Sequence, residues 1–292
     1  MLIATCNVNG LRAAVRKGAP DWIAQVKPDV FLLQEVRAPE ELVPDLLGGG
    51  YQVVQQASDI KGRAGVAVAV RDGLDIGRVS IGLGVDIADD AGGYVSGDAT
   101  TAVNRPGEPA VDTGRWVEVD IPEFGTTFVS AYLHSGQATD AEKMAAKYSH
   151  LDRVDKRLQE LVINRPTDIP HVLVAGDFNI VHTELDIKNW KGNHNKTSGV
   201  LDPEIAYLDR WFGQYGWVDV QRSLSGDEQA EYTWWSQRGK AFDNNVGWRI
   251  DYQMATAGLA QLATKVWIDR AESYAARWSD HAPLLVTYEV GN

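Results

Sequence analysis

Short runs of apolar and β-branched residues recur along the chain and alternate with segments of helical periodicity. The runs predict strands at residues 1–7, 30–34, 65–71, 115–121, 126–133, 171–176, 250–256 and 283–290. Strands and helices mix from end to end, with no linker-like or low-complexity break between them. The pattern therefore favours an α/β (α+β) fold in a single domain that spans residues 1–292.

Two helix starts carry local signals. Thr139 and Glu142 have the spacing of a capping box, and apolar residues from Met144 to Leu161 then repeat on one helical face. Asp202 precedes Pro203, which is typical of a cap residue followed by proline in the first helical turn. We expect a helix to begin at each of these signals.

Residues 82–113 differ from the rest of the chain. This segment is rich in glycine and acidic residues, among them Asp86, Asp98, Glu108 and Asp112, and it lacks a clear period. We expect it to form a long surface insertion.

Polar residues stand where predicted strands end or begin. They are Asn7, Asn9, Glu35, Tyr132, Asp177, Asn179, Asp251, Asp280 and His281. Each one alone is more often a turn residue or a satisfied hydrogen-bonding group than a functional one. Asp177 and Asn179 are two positions apart, however, so their side chains point the same way on a strand. Taken together, carboxylate and amide oxygens with a single histidine suit Mg²⁺ or Mn²⁺ better than zinc.

Aromatic residues are concentrated late in the chain. Trp234, Trp235 and Trp248 lie close to Ile250 in sequence. Core filling is the usual role of tryptophan, and the functional alternative is a face on which a base or a sugar ring packs.

Charge and cysteine content limit the choice of partners and compartment. The chain has 28 basic and 40 acidic residues, a net charge of −12, which argues against a nucleic-acid partner unless a local basic patch or a bound cation intervenes. A single cysteine, Cys6, cannot form an internal disulfide. The N-terminus lacks the pattern of a signal peptide, and no apolar stretch has membrane-spanning length. These features lead us to expect a cytoplasmic protein without a membrane partner.

Five sequence blocks carry a family resemblance. They are C-N-V-N-G-L-R, L-Q-E, A-G-D-F-N, G-W-R-I-D-Y and S-D-H-A-P, and their order and spacing resemble the exonuclease–endonuclease–phosphatase superfamily. More narrowly, the chain resembles the exodeoxyribonuclease III class of apurinic/apyrimidinic (AP) endonucleases, over nearly its whole length apart from residues 82–113. The resemblance implies a four-layer αββα sandwich, in which two mixed β-sheets pack face to face with helices outside.

The resemblance also implies an activity and its partners. The enzyme would be a Mg²⁺-dependent hydrolase of base-excision repair, with Mn²⁺ as a possible substitute, that incises duplex DNA 5′ to abasic sites. It would also remove blocked 3′ ends as a 3′-phosphodiesterase and could act as a 3′→5′ exonuclease. We expect a monomer that associates with the nucleoid when it acts on DNA.

Residue roles follow from the same resemblance, position by position. Metal ligands would be Asn7, Glu35, Asp177, Asn179 and Asp280. Asp177 would orient or deprotonate the attacking water, and Asn179 would hold the phosphate. Catalytic contacts to phosphate would come from Tyr132 and from His281, the latter partnered by Asp251. Substrate-binding residues would be Asn9, Arg115, Ser135, Trp234, Trp248 and Ile250.

The loop after Tyr132 departs from the family pattern. Many relatives have a proline and an amide residue there, whereas this chain has Leu133-His134-Ser135-Gly136. Ser135 can still donate a hydrogen bond to phosphate, and His134 has no assigned role. Two alternatives stay open: a related phosphodiesterase for a different phosphoester, and a DNA-binding module that has lost catalysis. Every mapped catalytic position holds a competent residue, which argues against the second.

Overall fold

The strands account for most of the regular structure in the computed structural model, which describes residues 1–83, 103–104, 107–226, 228 and 231–290. The strands are β1 Leu2–Asn7, β2 Val30–Gln34, β3 Tyr51–Gln56, β4 Val66–Arg71, β5 Val79–Ile81, β6 Val103–Asn104, β7 Trp116–Ile121, β8 Thr126–Tyr132, β9 His171–Asp177, β10 Trp217–Asp219, β11 Asp251–Thr256, β12 Ala263–Ile268 and β13 Leu284–Tyr288.

Helices lie between the strands. The α-helices are α1 Leu11–Val15, α2 Ala19–Val26, α3 Val43–Leu46, α4 Ala141–Ile163, α5 Trp190–Asn193, α6 Asp202–Gly213, α7 Val220–Ser225 and α8 Ala257–Ala260. Short 3₁₀ turns occupy Glu40–Leu42, Pro122–Phe124 and Glu184–Asp186.

Two mixed sheets form the centre of the molecule. One has the strand order β12-β13-β1-β2-β4-β3 and the other β10-β11-β9-β8-β7-β5-β6. Apolar side chains from the facing sides of both sheets, such as Ile3 and Leu32 from the first and Phe128 and Leu173 from the second, form one buried core. A second core lies under α1, α2 and α3, and a third under α4 and α6. These layers confirm the predicted αββα sandwich.

All eight predicted strands are present, and five others were missed. Three of the missed strands, β5, β6 and β10, have only two or three residues, too few to show alternation. β3 reads Y-Q-V-V-Q-Q at one edge of its sheet, and β12 places Thr264 and Lys265 at the opposite edge. Edge strands face water with polar residues, so their sequences lack a continuous apolar run.

Both predicted helix starts were wrong by one residue. The N-cap of α4 is Asp140, whose carboxylate accepts a hydrogen bond of 3.1 Å from the Lys143 amide. Asp caps a helix as well as Thr does, so the adjacent Thr139 lies outside the helix. Asp202 is the first residue of α6, and its side chain accepts from Asn195.

The segment 82–113 is only partly a surface insertion. Residues 84–102 and 105–106 lie outside the described residues, so the prediction stays a prediction there. Strand β6 lies within the segment, and the Asp112 side chain is buried. Asp112 was therefore wrongly grouped with surface acids, because its buried partners are remote in sequence.

Two predictions from the bulk sequence can be compared with the structure directly. Cys6 is buried in β1, where burial raises the pKa of its thiol, as expected for an inert cysteine. Within the described part of the chain, no helix combines the length and apolar character needed to cross a membrane.

Gly176 allows two strands to approach closely beside the site. A Cβ atom built there would lie 2.0 Å from the carbonyl oxygen of Ala131 in β8, and the φ angle is 145°. No other residue fits, because the clash is with the backbone and not with a flexible side chain. Gly176 therefore keeps β8 and β9 in register up to their carboxyl ends.

A buried ion pair connects the outer helices to the ends of these strands. Lys147 Nζ of α4 lies 2.7 Å from Glu204 Oε1 of α6, and both side chains are fully buried. The ammonium also donates to the Asn179 carbonyl (3.1 Å) and the Ser135 carbonyl (3.3 Å). Burial lowers the pKa of Lys147, and Glu204 opposes that shift. The pair thus holds two loops that follow β8 and β9.

Replacing Lys147 with methionine tests this pair. We expect a loss of about 3–5 kcal/mol in the free energy of unfolding, because Glu204 would keep a buried, uncompensated charge. Urea unfolding followed by circular dichroism measures the loss. Adding Glu204→Gln should recover part of it, whereas Lys143→Met, at an exposed pair on the same helix, should cost much less. Equal losses for Lys147→Met and Lys143→Met would contradict this role.

Candidate active site

Polar side chains from both sheets meet where their strand ends come together. Asn7 closes β1, and Tyr132 and Asp177 close the neighbouring parallel strands β8 and β9, where they are register partners. Asp251 opens β11 directly opposite Asp177, because these two strands are antiparallel. The sandwich therefore gathers at one end residues that are far apart in sequence.

Asp177 lies between the two sheets. Its Oδ2 accepts a 3.0 Å hydrogen bond from Asn7 Nδ2 across the sandwich and a 3.1 Å bond from Asn179 Nδ2. Its Oδ1 accepts from the Asn179 amide at 2.9 Å. Burial raises the pKa of Asp177 to about 7, although the nearby His281 opposes the shift. A carboxylate of this kind can accept a proton near neutral pH.

His281 is held between two carboxylates. Its Nδ1 lies 2.8 Å from Asp251 Oδ2, and its Nε2 lies 3.8 Å from Asp177 Oδ2. Burial alone would lower the pKa of His281, but Asp251 and Asp177 raise it to about 10. The ring is therefore a cation at neutral pH, with Asp251 fixing its orientation. Among the described residues, Asp251 Oδ1 has no hydrogen-bond partner.

Glu35 follows β2 and points at the same centre. The Tyr132 hydroxyl donates to its Oε1, and Arg37 forms an ion pair with its Oε2. Glu35 has a φ of 53°, in the left-handed region that is costly for a glutamate. Backbone bonds from Gly10 and Val36 flank this conformation, with Gly10 donating to the Glu35 carbonyl at 2.8 Å.

Asp280 completes the set of carboxylates. Its Oδ1 accepts from Asn9 Nδ2 at 2.8 Å, and its Oδ2 accepts from Trp234 Nε1 at 3.3 Å. Arg37 donates to Asn9 Oδ1 at 3.1 Å, so Asn9 links Asp280 to the group around Glu35. Asn9, which the resemblance assigned to substrate binding, thus lies in the structure between Asp280 and the group around Glu35.

The donor set fits a hard divalent cation. Within the described residues, four carboxylates lie in this centre, those of Glu35, Asp177, Asp251 and Asp280. Of the described residues, only two cations pair with them there, Arg37 and His281. All the available ligand atoms there, apart from the His281 ring, are carboxylate or amide oxygens, the type that Mg²⁺ prefers. The excess of negative charge, together with the raised pKa of Asp177, indicates a place where a cation would be stabilised.

Aromatic side chains form an apolar wall beside His281. The Trp234 and Trp248 rings meet edge to face, with centroids 5.6 Å apart, and Trp234 lies 6.4 Å from the His281 ring. Ile250 is buried beneath them, so it supports this wall and does not itself offer a contact surface. Trp190 packs on the same cluster and was missed, because its sequence segment carries no other aromatic signal.

The residues around Tyr132 include the remaining candidates. The Arg115 guanidinium stacks 4.7 Å from the Tyr132 ring and donates to the Tyr132 carbonyl at 3.3 Å. Arg115 therefore buttresses Tyr132. Ser135 is exposed on the following loop, where its hydroxyl can reach a ligand. His134 instead lies 2.5 Å from Asp112 Oδ1.

Two further residues of the site escaped the sequence reasoning. Arg37 binds Glu35 from only two positions away, and Lys147 supports the Asn179 loop from α4. Arg37 could have been found as a cation next to L-Q-E, since a carboxylate at a strand end attracts one. Lys147 lies within a helical pattern that gives no sign that its charge is buried.

Comparisons with known proteins agree with this arrangement. The chain is 29% identical to an exodeoxyribonuclease of Bacillus subtilis (strain 168), over 97% of this chain and 98% of that one. It is 25% identical to a DNA-(apurinic or apyrimidinic site) endonuclease of Dictyostelium discoideum, over 99% of this chain and 71% of that one. An AP endonuclease structure from Archaeoglobus fulgidus superposes with a TM-score of 0.79 at 27% identity, covering 99% of this chain and 100% of that one.

A family model matches residues 4–281, a range that includes every candidate residue from Asn7 to His281. The chain therefore belongs to the Endonuclease/Exonuclease/phosphatase family.

Proposed function

We propose that this protein is a Mg²⁺-dependent DNA phosphodiesterase that incises duplex DNA on the 5′ side of abasic sites. The observation that carries the proposal is the placement of Asp177 and the Asp251–His281 pair beside the Trp234–Trp248 wall. This arrangement places groups suited to phosphodiester hydrolysis next to an aromatic face on which a base-less sugar could pack. The names of the Bacillus and Dictyostelium relatives support a DNA phosphodiester as the substrate.

Hydrolysis requires water to attack the phosphorus atom in line with the leaving 3′-oxygen. Asp177 is placed to accept a proton from that water, since its carboxylate is buried and its pKa is raised. The new bond joins the water oxygen to phosphorus, and the bond from phosphorus to the 3′-oxygen breaks, so that this oxygen leaves as a hydroxyl after gaining a proton. Tyr132 and Asn179 are neutral donors that would exchange their present acceptors, Glu35 for the Tyr132 hydroxyl and Asp177 for Asn179 Nδ2, for phosphate oxygens when substrate binds.

His281 supplies fixed positive charge to the phosphate. Its proton-bearing ring is oriented by Asp251 before substrate arrives, and such preorganised donors are worth about 3–4 kcal/mol of transition-state stabilisation. A Mg²⁺ ion held by Glu35 with Asn7, Asp177, Asn179 or Asp280 would neutralise the charge that develops on the phosphate and the leaving oxygen. Mn²⁺ could replace it, because both ions prefer oxygen ligands.

Exposed basic residues offer a path for the DNA backbone despite the net charge of −12. Lys61 and Arg63 are exposed on the loop before β4. This loop adjoins the site through two backbone hydrogen bonds. The Arg37 amide donates to the Ala64 carbonyl at 3.1 Å, and the Val36 amide donates to the Gly65 carbonyl at 2.9 Å. Because the protein as a whole is acidic, we expect DNA binding to be weak without divalent metal and to fall steeply as salt screens these basic contacts.

The aromatic wall accounts for selectivity toward abasic sites. A nucleotide without its base leaves the helix at lower cost than a paired one, and the Trp234–Trp248 wall offers a face on which the exposed sugar can pack. The same site would accept a blocked 3′ end, which gives 3′-phosphodiesterase and possible 3′→5′ exonuclease activity. We propose that the protein acts as a monomer that associates with the nucleoid when it acts on DNA.

Incision of a defined duplex tests the activity. A duplex with one tetrahydrofuran abasic analogue should be cut on its 5′ side with Mg²⁺ and not with EDTA. Asp177→Asn should lower kcat by about 10²–10⁴-fold, because the proton acceptor is lost. An undamaged duplex and a nicked duplex, run in parallel, measure selectivity and exonuclease activity. No incision of the abasic duplex by the metal-loaded protein would refute the proposal.

The pH dependence tests the role of Asp251. Asp251→Asn removes a carboxylate that raises the pKa of His281, so the ring should lose its proton at lower pH. The alkaline limb of kcat/KM should therefore move down by about 1–3 pH units. Asp209→Asn, at the more exposed pair with His182, is the matched control and should leave the profile unchanged. An unmoved alkaline limb in Asp251→Asn would show that His281 does not act as a cation.

A further inference from the structure

Asp112, His134 and His150 form a compact cluster outside the proposed active site. His134 Nε2 lies 2.5 Å and His150 Nδ1 lies 3.3 Å from the same atom, Asp112 Oδ1. One ligand atom from each residue lies within 4.8 Å of the others. The three come from separate elements: the turn before β7, the loop after β8, and helix α4. Their convergence is therefore a product of the fold and not of a local turn.

His150 is a buried polar group without a satisfactory partner. Its side chain is fully buried, and among the described residues neither ring nitrogen makes a hydrogen bond of acceptable geometry. Leaving such a group buried without a partner is unfavourable, because it loses its hydrogen bonds to water. The short distance from its Nδ1 to Asp112 shows that the ring points into the cluster. An additional ligand between these atoms would satisfy it.

The protonation states of the cluster suit metal binding. Burial lowers the pKa of His134, and burial lowers that of His150 to about 4, so both rings are neutral at neutral pH. Burial alone would raise the pKa of Asp112, but its contacts with His134 and Arg153 and the nearby His150 ring hold it well below its usual range. Neutral imidazoles and an ionised carboxylate are the forms in which these side chains bind metals.

We propose that Asp112, His134 and His150 form a second cation site, which binds a transition-metal ion of the Zn²⁺ type. Two imidazole nitrogens and one carboxylate oxygen are the ligand set of many zinc sites, whereas Mg²⁺ prefers oxygen ligands alone. The cluster therefore differs in chemistry from the all-oxygen set around Glu35. Ligand atoms in a tetrahedral zinc site are about 3.3 Å apart, so the present spacing requires only a small adjustment.

A neighbouring cation, Arg153, binds the oxygen of Asp112 that the two imidazoles do not contact. Arg153 pairs with Oδ2 of Asp112, so both imidazoles share the other oxygen, Oδ1. A guanidinium on the second oxygen is a typical support for a ligating carboxylate, since it fixes the carboxylate orientation. The His134 side chain retains 13% exposure, so the cluster can be reached from solvent.

A bound ion would stiffen the walls of the active site. His134 is two residues after Tyr132, and Asp112 is three residues before Arg115, which stacks on Tyr132. The ion would join both segments to helix α4 through His150. This site lies outside the reaction itself, so its effect would be on stability and on the positions of Tyr132 and Ser135.

Metal retention tests the proposal directly. Protein stripped with EDTA is loaded with Zn²⁺ in a large excess of Mg²⁺, which occupies oxygen-only sites, and is then passed through a desalting column. We expect about one Zn²⁺ per chain by elemental analysis, and a rise in Tm of about 5 °C. Co²⁺ in place of Zn²⁺ should give the visible absorption of a tetrahedral site with nitrogen ligands.

Substitutions at the cluster identify the ligands. His134→Gln and His150→Gln should each lose the retained Zn²⁺, the Tm rise and the Co²⁺ spectrum. His194→Gln, at a more exposed histidine 2.6 Å from Asp202, is the matched control and should keep all three. Because His150 is fully buried in helix α4 and its replacement can impair folding, His134, a partly exposed loop residue, serves as the independent test. Circular dichroism of each metal-free variant confirms that it is folded.

Two outcomes would overturn the proposal. Absence of retained Zn²⁺ and of a Tm rise in the unmodified protein would mean that the cluster is only a hydrogen-bonded network. Retention of Zn²⁺ by the folded His134→Gln variant, with loss in Glu35→Gln, would place the ion in the active site instead. Neither outcome depends on incision of DNA, so the proposed function is tested separately.

Discussion

The burial of one carboxylate between two sheets is the constraint on which the site depends. Asp177 ends a strand of one sheet, and Asn7 of the other sheet donates to it across the sandwich. A buried carboxylate is costly unless donors or cations surround it, so the fold must bring Asn7, Asn179 and His281 to it together. The sheets cannot shift relative to each other without breaking these contacts. The packing of the two sheets against each other therefore also determines the geometry of the site.

This constraint explains the arrangement of charge around Asp177. His281 lies near it as a cation, yet His281 is itself held by Asp251, whose second oxygen lacks a partner among the described residues. The His281 imidazolium and the Arg37 guanidinium do not balance the four carboxylates that meet here. Under the proposed function, a divalent cation and the phosphate that accompanies it would offset this excess of negative charge.

The sequence predicts the strands with continuous apolar runs, and it places the polar residues at the ends of those strands. Central strands such as β1, β2 and β9 are buried on both faces, so they carry a strong apolar signal. Edge strands β3 and β12 were missed because water contacts most of their residues. Asp112 was misjudged because its partners His134 and His150 come from later segments. A local sequence pattern indicates the element to which a residue belongs, whereas the burial of that residue depends on elements that are distant in sequence.

The contacts that the sequence could not predict are those made by the backbone and by helix α4. Asn9, Glu35 and Asn179 have φ angles of 47°, 53° and 53°, and each follows the end of a strand. Asparagine tolerates the left-handed region, but glutamate does not, so the Glu35 conformation must be maintained by its neighbours. The strands before these residues are buried and rigid, and Lys147 anchors the Asn179 carbonyl from outside. Local strain is thus sustained by global packing, which means that weakening the sandwich should misplace catalytic groups before it unfolds the chain.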